Sequence, residues 1–203
     1  MELEQGLSAY KAGTYAAALV SLKDAAANGN DTARFFAEFY MARIYADNAG
    51  TLTDHPKAFV LFRKLADENA DIDPDGDHRS PFVAKAFIAL AGYVRSGLRD
   101  IGVPANPRRA ANYLQHAAIF FGDKDAQFEL AKLYLSGEDG SDDVRRGLHY
   151  LSALSEQSYP AAQALLAELL WKGRFVKSDE RRALALITMA AENAPAHDRI
   201  WID

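Results

Sequence analysis

Residues 125–159 read DAQFELAKLYLSGEDGSDDVRRGLHYLSALSEQSY, and this stretch decides the fold because its pattern recurs along the chain. In it a small residue, Ala131, is followed by an apolar residue three positions on, Tyr134, and by a turn residue six positions on, Gly137. Four copies of this spacing are typical of a repeat architecture. The other three copies are Ala42/Tyr45/Asn48, Ala91/Val94/Gly97 and Ala167/Leu170/Gly173.

A second pattern follows each copy, in which two small residues lie eight positions apart with large apolar residues between them. Small residues at a helix crossing let two backbones approach closely. Each repeat is therefore predicted to be a pair of helices. The small-residue pairs are Ala58/Ala66, Ala110/Ala118, Gly147/Ser155 and Ala183/Ala191.

The spacing of these pairs predicts the architecture. Their first members lie 52, 37 and 36 residues apart, which indicates a unit of about 36 residues with one long insertion. We expect first helices over 3–12, 32–46, 81–96, 124–136 and 160–172, and second helices over 15–27, 55–69, 107–121, 143–157 and 178–193. The predicted fold is all-α, a right-handed α-solenoid of about five antiparallel helix pairs.

The predicted solenoid forms one domain over residues 1–203. It has an N-terminal helix pair at 1–30, repeats at 31–70, 81–122, 123–159 and 160–194, and an acidic insertion at 71–80. Residues 195–203 are predicted to start a C-terminal helix that is cut off at Asp203, as in a fragment of a longer protein. Gly97, Gly137 and Gly173 follow the last apolar residue of a first helix, where a positive φ is commonly required.

Composition excludes several classes of function. The 23 basic and 28 acidic residues give a net charge of −5, so nothing favours binding to nucleic acid. The absence of cysteine excludes disulfides, thiolate zinc sites and thiol nucleophiles. No apolar run reaches 18 residues, and no catalytic or phosphate-binding motif is present. We therefore expect neither membrane insertion, nor a cofactor, nor enzyme activity, and the sequence predicts no oligomeric state.

The insertion carries acids in the spacing of a calcium-binding loop, at Asp71, Asp73, Asp75 and Asp77 with Gly76 between the last two. The position that needs a bidentate glutamate is Phe82, so the loop lacks its strongest ligand. A solvated acidic loop is the favoured interpretation, and calcium binding is the alternative. An exposed loop of this kind is also a candidate protease target or partner contact.

Histidine is the side chain that titrates between pH 5 and 8. Of the five histidines, His78 is the best candidate pH sensor because it follows Asp73, Asp75 and Asp77. His116 and His149 lie in predicted second helices and are expected to be ordinary surface or half-buried residues. The insertion is thus a candidate pH sensor or cleavable loop.

Charged residues near the first helices are the candidate partner contacts, since solenoids commonly bind proteins along such a surface. Aromatic clusters at helical spacing are expected to pack between repeats rather than to bind a ligand. The candidate contacts are Arg95, Arg99, Glu129, Lys132 and Lys172, and the aromatic clusters are Phe35, Phe36, Phe39 and Tyr40, then Phe120 and Phe121.

The stretch 125–159 resembles the Sel1-like repeat, a 36-residue relative of the tetratricopeptide repeat. The resemblance rests on the small and apolar positions of the first helix, on the loop glycines, and on Arg146-Gly147 where that family prefers Lys-Ala. It extends over about residues 31–194. The matching positions are Ala126, Leu130, Ala131, Tyr134, Gly137, Gly140, Tyr150 and Leu151.

The middle of the chain is further similar to the ExoR family of alphaproteobacterial exopolysaccharide regulators. The similarity rests on ALAGYVRSG at 89–97, the loop through Val103-Pro104, the start of the stretch at 125–141, and the closing Ala194-Pro195-Ala196 with Asp198, Arg199 and Trp201. This resemblance implies a periplasmic, non-catalytic regulator that binds the sensing domain of a membrane histidine kinase and restrains its signalling. The alternative is a scaffold that assembles cytosolic or envelope proteins without a signalling role, which would also allow a cytoplasmic location.

Overall fold

A computed structural model describes residues 1–47, 50–140 and 143–194 of the chain. Their contacts divide into two compact units, Met1–Phe121 and Gly122–Asp203. Unit 1 contains the helices α1 (Glu2–Lys11), α2 (Tyr15–Asn28), α3 (Asp31–Ala46), α4 (His55–Glu68), α5 (Ser80–Ser96) and α6 (Pro107–Gln115). Unit 2 contains α7 (Lys124–Ser136), α8 (Val144–Glu156), α9 (Pro160–Lys172) and α10 (Glu180–Asn193).

Each unit is built from consecutive helix pairs. In unit 1, α1 packs on α2, α3 on α4 and α5 on α6, and contacts of α2 with α3 and of α4 with α5 join the pairs. In unit 2, α7 packs on α8, α9 on α10, and α8 joins the two pairs by its contacts with α9. The predicted all-α fold of helix pairs is confirmed. Of the ten α-helices in the described ranges, nine end within two residues of the predicted positions.

Short polar residues cap the starts of five helices in the described ranges. The side chains of Asn30, Asp54, Asn106, Asp123 and Asp179 each accept a hydrogen bond from the backbone N–H three residues on, at 2.8–3.0 Å. Such caps satisfy a backbone donor that has no partner within the helix. The starts of these five helices, α3, α4, α6, α7 and α10, are therefore encoded locally.

Glycine ends the first helices α5, α7 and α9, as predicted. Gly97, Gly137 and Gly173 have φ values of 76°, 68° and 64°. At Gly97 the requirement is strictest, because an added Cβ would lie 2.7 Å from the backbone nitrogen of Ala105 and 2.9 Å from the carbonyl oxygen of Val103. The loop after α5 is thus folded directly against the end of that helix.

The small residues of the repeat are buried where the pattern predicts, with one correction. Ala42, Ala91, Ala131 and Ala167 of the first helices are at most 4% exposed. In α10, however, the fully buried small residue is Ala190, and Ala191 is only half-buried. In the other three pairs, which have the same spacing of eight, both small residues are buried; in α10 the buried place is taken by Ala190, seven positions after Ala183.

The second helix of the repeat at 81–122 is interrupted by a π-helical turn over His116–Phe120. A π turn holds more residues than an α turn and rotates the side chains that follow it. Ile119 and Phe120 consequently face solvent, with Phe120 40% exposed. The prediction that Phe120 belongs to the core is wrong, whereas Phe35 and Phe39 are buried as expected.

Two predicted features lie outside the described residues. One is the turn residue Asn48 of the first repeat, and the other is the start of a C-terminal helix over 195–203. Within the described ranges, no helix has the length and apolar character needed to cross a bilayer.

Candidate functional site

Three of the five charged residues singled out from the sequence lie together in unit 2. Lys132 and Glu129 of α7 form an ion pair of 2.6 Å, and Lys172 forms another with Glu168 of α9, also of 2.6 Å. The Lys132 ammonium also lies 5.1 Å from the centre of the Phe128 ring. The Lys172–Glu168 pair is exposed to solvent and contributes little to stability, whereas the Lys132–Glu129 pair is half-buried.

Between these charges lies an apolar depression, here called the C-terminal groove. Its cavity volume is about 540 Å³. Trp171 is the largest side chain in it and is 54% exposed, and Leu184 beside it is 57% exposed. Sequence reasoning missed this surface. The groove is lined by Phe128, Lys132, Ala164, Leu165, Ala167, Glu168, Trp171, Ala183, Leu184 and Ile187.

A signal for the groove is present in the sequence once the repeat register is known. Trp171 lies 36 positions after Leu135, which is buried in unit 2, so a buried repeat position carries an exposed tryptophan one repeat later. Exposed aromatic residues surrounded by charged side chains are common at protein interfaces.

Unit 1 carries a second depression, here called the Tyr93 hollow, with a cavity volume of about 440 Å³. Its floor is formed by small residues of α5, among which Gly92 has no heavy atom within 4 Å of an added Cβ. The floor is therefore open to a side chain from outside. The hollow is lined by Ala46, His55, Ala89, Gly92, Tyr93, Ser96, Gly97 and Leu98.

The two polar side chains of the Tyr93 hollow are joined by a hydrogen bond. The Tyr93 hydroxyl lies 3.1 Å from Nδ1 of His55. Burial raises the pKa of Tyr93 to about 12, with a smaller contribution from Asp47. A phenol with so high a pKa stays neutral near pH 7 and is a poor general base. This pair therefore orients a hydrogen bond in an otherwise apolar hollow.

The other two candidate charges, Arg95 and Arg99, belong to unit 1. Arg95 is half-buried on α5, and Arg99 is exposed in the 3₁₀ turn Arg99–Ile101 that follows. The backbones of Leu98 and Val103 exchange two hydrogen bonds of 2.8 and 3.0 Å across this turn. The loop that presents Arg99 is thus held in one shape beside the Tyr93 hollow.

The acidic insertion is folded rather than extended. Asp77 accepts hydrogen bonds from Nε and Nη2 of Arg79, the shortest 2.6 Å long, and from the Arg79 backbone N–H. These bonds lower the pKa of Asp77 to about 2. Arg79 also donates to Asn69 and lies 5.6 Å from the Phe35 ring, so it fastens the insertion to α4 and α3.

The structure of the insertion shows how its carboxylates are used, which is relevant to the alternative that the insertion binds calcium. Asp77 directs both carboxylate oxygens to Arg79, and Asp73 accepts from the backbone N–H of Asp75. In the described residues, no group of three or more His, Asp or Glu side chains is arranged to hold a metal ion. The acids at 71, 73 and 75 are exposed, as expected for a solvated loop.

His78 is exposed, at 69%, and its Nδ1 lies 3.9 Å from the Asp77 carboxylate. Its ring centre is 5.7 Å from that of Phe36. His116, by contrast, is half-buried, and its Nε2 lies 2.9 Å from the carbonyl oxygen of Ala70. The ordinary structural role expected for His116 is confirmed, because it connects the π turn to the beginning of the insertion.

Comparison with known families identifies the repeat. The sequence profile of the Sel1 repeat matches residues 36–69, 89–119, 124–159 and 160–195. These segments make up about two thirds of the chain and coincide with helix pairs of both units.

Two curated relatives match almost the whole chain. The "Exopolysaccharide production negative regulator" of Rhizobium meliloti (strain 1021) is 30% identical over 197 residues, which are 97% of this chain and 69% of the relative. The protein of the same description from Rhizobium leguminosarum bv. viciae is 28% identical over 198 residues, which are 98% of this chain and 70% of the relative.

Solved structures show the same fold. A Sel1 repeat protein from Oxalobacter formigenes superposes with a TM-score of 0.71 at 21% identity, over 98% of this chain and 73% of that one. A protective antigen of uropathogenic Escherichia coli strains, which displays an SLR fold, superposes with a TM-score of 0.62 at 23% identity, over 88% of this chain and 34% of the other.

Proposed function

The chain belongs to the Sel1 repeat family and is homologous to the ExoR negative regulators of exopolysaccharide production, and from this premise we propose that it is a non-catalytic, periplasmic regulator. In this proposal it binds the sensing domain of a membrane histidine kinase and restrains its signalling until an envelope cue, such as acid, releases it. Repeat proteins of stacked helix pairs commonly work by binding protein partners.

The Tyr93 hollow is the observation that carries this proposal. It combines an apolar, small-residue floor with one oriented hydroxyl and an adjacent rigid loop bearing Arg99. A hollow of this composition can accept an apolar side chain of a partner while polar groups at its edge set the orientation.

The decisive experiment blocks the hollow without disturbing the fold. Gly92→Leu places an apolar side chain where an added Cβ has no neighbour within 4 Å. Glycine in a helix interior is unfavourable by about 0.5–1 kcal/mol, so the replacement should leave the melting temperature equal or higher. We expect it to weaken binding to the purified kinase sensing domain by at least about tenfold, measured by calorimetry.

The matched control is Asn112→Leu, which adds a leucine at an exposed position of α6 outside the hollow. Normal binding by the control together with lost binding by Gly92→Leu supports the proposed surface. Equal binding by both variants would place the contact elsewhere, and absence of binding by the unaltered protein would refute the kinase partnership.

The scaffold alternative makes a different prediction for the same complex. A regulator should lower autophosphorylation of the full-length kinase in membranes in proportion to occupancy, and Gly92→Leu should relieve that inhibition. A scaffold without a signalling role should capture its partners while leaving the kinase rate unchanged.

A further inference from the structure

Unit 2 has another depression, which shares no residue with the C-terminal groove and lies where α8, α9 and the start of α10 meet. It is here called the basic groove, and its cavity volume is about 520 Å³. Its apolar floor is formed by Leu148 of α8, Leu166 and Leu170 of α9, and Val176 of the loop that follows α9. Leu166 and Leu170 are only 6% and 5% exposed, so packing within the unit fixes this floor.

The edge of the basic groove carries positive charge. Lys177 and Arg182 line it, and both side chains are exposed. Neither forms an ion pair with any residue that the structure describes. The acidic residue of the lining, Asp179, caps α10 by accepting a hydrogen bond of 3.0 Å from the Arg182 backbone N–H. Residues 172–182 contain five basic and two acidic residues, although the chain as a whole has a net charge of −5.

The arginine of the preceding repeat shows what Arg182 lacks. Arg146, 36 positions earlier, forms an ion pair of 3.0 Å with Asp143. Its guanidinium also lies 4.8 Å from the centre of the Tyr134 ring. The residue that corresponds to Tyr134 in the last repeat is Leu170, which offers no ring to a guanidinium. The same repeat position therefore has intramolecular partners in one repeat and, among the described residues, none in the next.

Helix stability does not explain the basic residues at the start of α10. Arg181 and Arg182 lie in its first turn, where the helix dipole disfavours positive charge. At the position of Arg182, a helix with a capped start favours glutamate, which can return a hydrogen bond to the capping residue. Both guanidinium groups are thus available to an anionic ligand.

The loop between α9 and α10 is held at both ends. The backbone N–H of Arg174 donates to the carbonyl oxygen of Leu169 at 3.0 Å, and that of Asp179 donates to Leu170 at 3.1 Å. The backbone that carries Lys177 is therefore fixed beside the floor before any partner arrives. A preformed surface of this kind loses less conformational entropy on binding.

We propose that the basic groove is a docking site for an acidic peptide segment of a protein partner. One apolar side chain of the segment lies on the floor, where its burial removes apolar surface of both molecules from water. Carboxylates on either side of it pair with Lys177 and Arg182, since a guanidinium matches a carboxylate with two parallel hydrogen bonds. Nucleic acid and anionic membranes are attracted by broad positive surfaces, and the net negative charge of the chain opposes both.

The probe for a test is the fluorescein-labelled peptide Glu-Asp-Glu-Leu-Glu-Asp-Glu, titrated with the whole chain and followed by fluorescence anisotropy. We expect saturable binding that weakens as salt is added, because ions screen exposed charges. Serine in place of the peptide's leucine should weaken binding at least about fivefold, because the floor then loses its apolar contact. A peptide with lysine in place of every acidic residue should not bind.

Arg182→Glu is the decisive variant and should weaken binding of the acidic peptide at least about tenfold, because it reverses a charge that faces the carboxylates. Glutamate is favoured at this helix position, so the melting temperature should be equal or higher. Arg108→Glu is the matched control, since it makes the same change in the first turn of α6, outside the basic groove. It should bind the peptide as the unaltered protein does.

Loss of binding in Arg182→Glu alone, together with a preference for the leucine peptide, supports the proposal. Absence of saturable binding, equal affinity of the two variants, or equal affinity for the leucine and serine peptides would overturn it. Tighter binding to phosphatidylglycerol vesicles or to single-stranded DNA, removed by Arg182→Glu, would also overturn it and assign the groove to lipid or nucleic acid. The assay contains no kinase and the basic groove shares no residue with the Tyr93 hollow, so this proposal and the proposed function can fail separately.

Discussion

Two repeats share the same sequence pattern but are stabilised by different interactions. One is the repeat α7–α8, and the other is the repeat α5–α6 with the insertion that precedes it. In the former, the cluster around Ala131 and Leu151 consists of apolar side chains in repeat register. In the latter, specific polar contacts supplement packing: Arg79 on Asp77, His116 on the Ala70 carbonyl, and the paired backbones of Leu98 and Val103. Where the repeat spacing is broken, hydrogen bonds between specific groups help to hold the local structure, in addition to the packing of apolar side chains.

The largest expected effect tests the irregular repeat. Gly97→Ala should destabilise the protein by about 2–4 kcal/mol, because φ is +76° and the new Cβ would meet the backbone of Ala105 and Val103. Gly102→Ala is the control, with φ +68° but no atom within 4 Å of the Cβ. It should cost only about 1 kcal/mol. If urea denaturation showed that both substitutions lower the free energy of unfolding by the same amount, the loop would not be in tight contact with the end of α5.

The stability of the regular repeat α7–α8 should instead depend on the volume of its buried side chains. Ala131 is fully buried, so Ala131→Leu should overpack the contact and cost about 1–3 kcal/mol. Ala161→Leu adds the same volume on an exposed face of α9 and should be close to neutral. Thermal melts of both variants provide the measurement, and equal stability would contradict the repeat register.

A smaller, pH-dependent effect is expected at the insertion. Arg79 lowers the pKa of Asp77 from 3.8 to about 2, so the ionised carboxylate stabilises the fold above pH 4, and this stabilisation is lost as the pH falls through 2. Asp77→Asn should therefore cost about 1 kcal/mol at pH 7, allowing for solvent screening. The difference from the unaltered protein should shrink between pH 4 and pH 2 in chemical denaturation. A constant difference would mean that the charge of Asp77 is not responsible.

The smallest effect concerns His78 and acts on binding rather than on stability. If His78 reports acid, affinity for the kinase sensing domain falls between about pH 7 and 5.5, and His78→Gln reduces that fall, because the imidazole then no longer gains a charge beside Asp77. His149→Gln, on α8, is the control histidine. An identical pH response in His78→Gln and the unaltered protein would remove His78 as the sensor.

The sequence predicted well those features that depend on short-range spacing. The ends of helices are set by capping residues such as Asp123 and by glycines such as Gly137. These residues interact only with the few residues next to them in the sequence. Burial of Ala131 follows from a pattern that recurs four times. The same reasoning failed at Phe120, because Phe120 lies in the π turn His116–Phe120, which breaks the α-helical periodicity on which the prediction relied.

The candidate binding surfaces were harder to predict from the sequence than the helices were. The charges Glu129, Lys132 and Lys172 were found, but not the exposed Trp171 between their ion pairs. Likewise, Gly92 is an unremarkable helical glycine in the sequence and becomes the open floor of a hollow only when α3, α4 and α5 are assembled.

By itself, the sequence determined the class of this protein: a Sel1 repeat chain of helix pairs, because repeat spacing, caps and small residues act locally and recur. Only the tertiary structure decided which side chains stay exposed after packing, that Arg79 holds the acidic insertion in a fold, and that an apolar hollow and an apolar groove remain. The physical reason is that exposure and ion pairing depend on residues distant in sequence, such as Arg79 and Phe35, whose meeting no local pattern encodes.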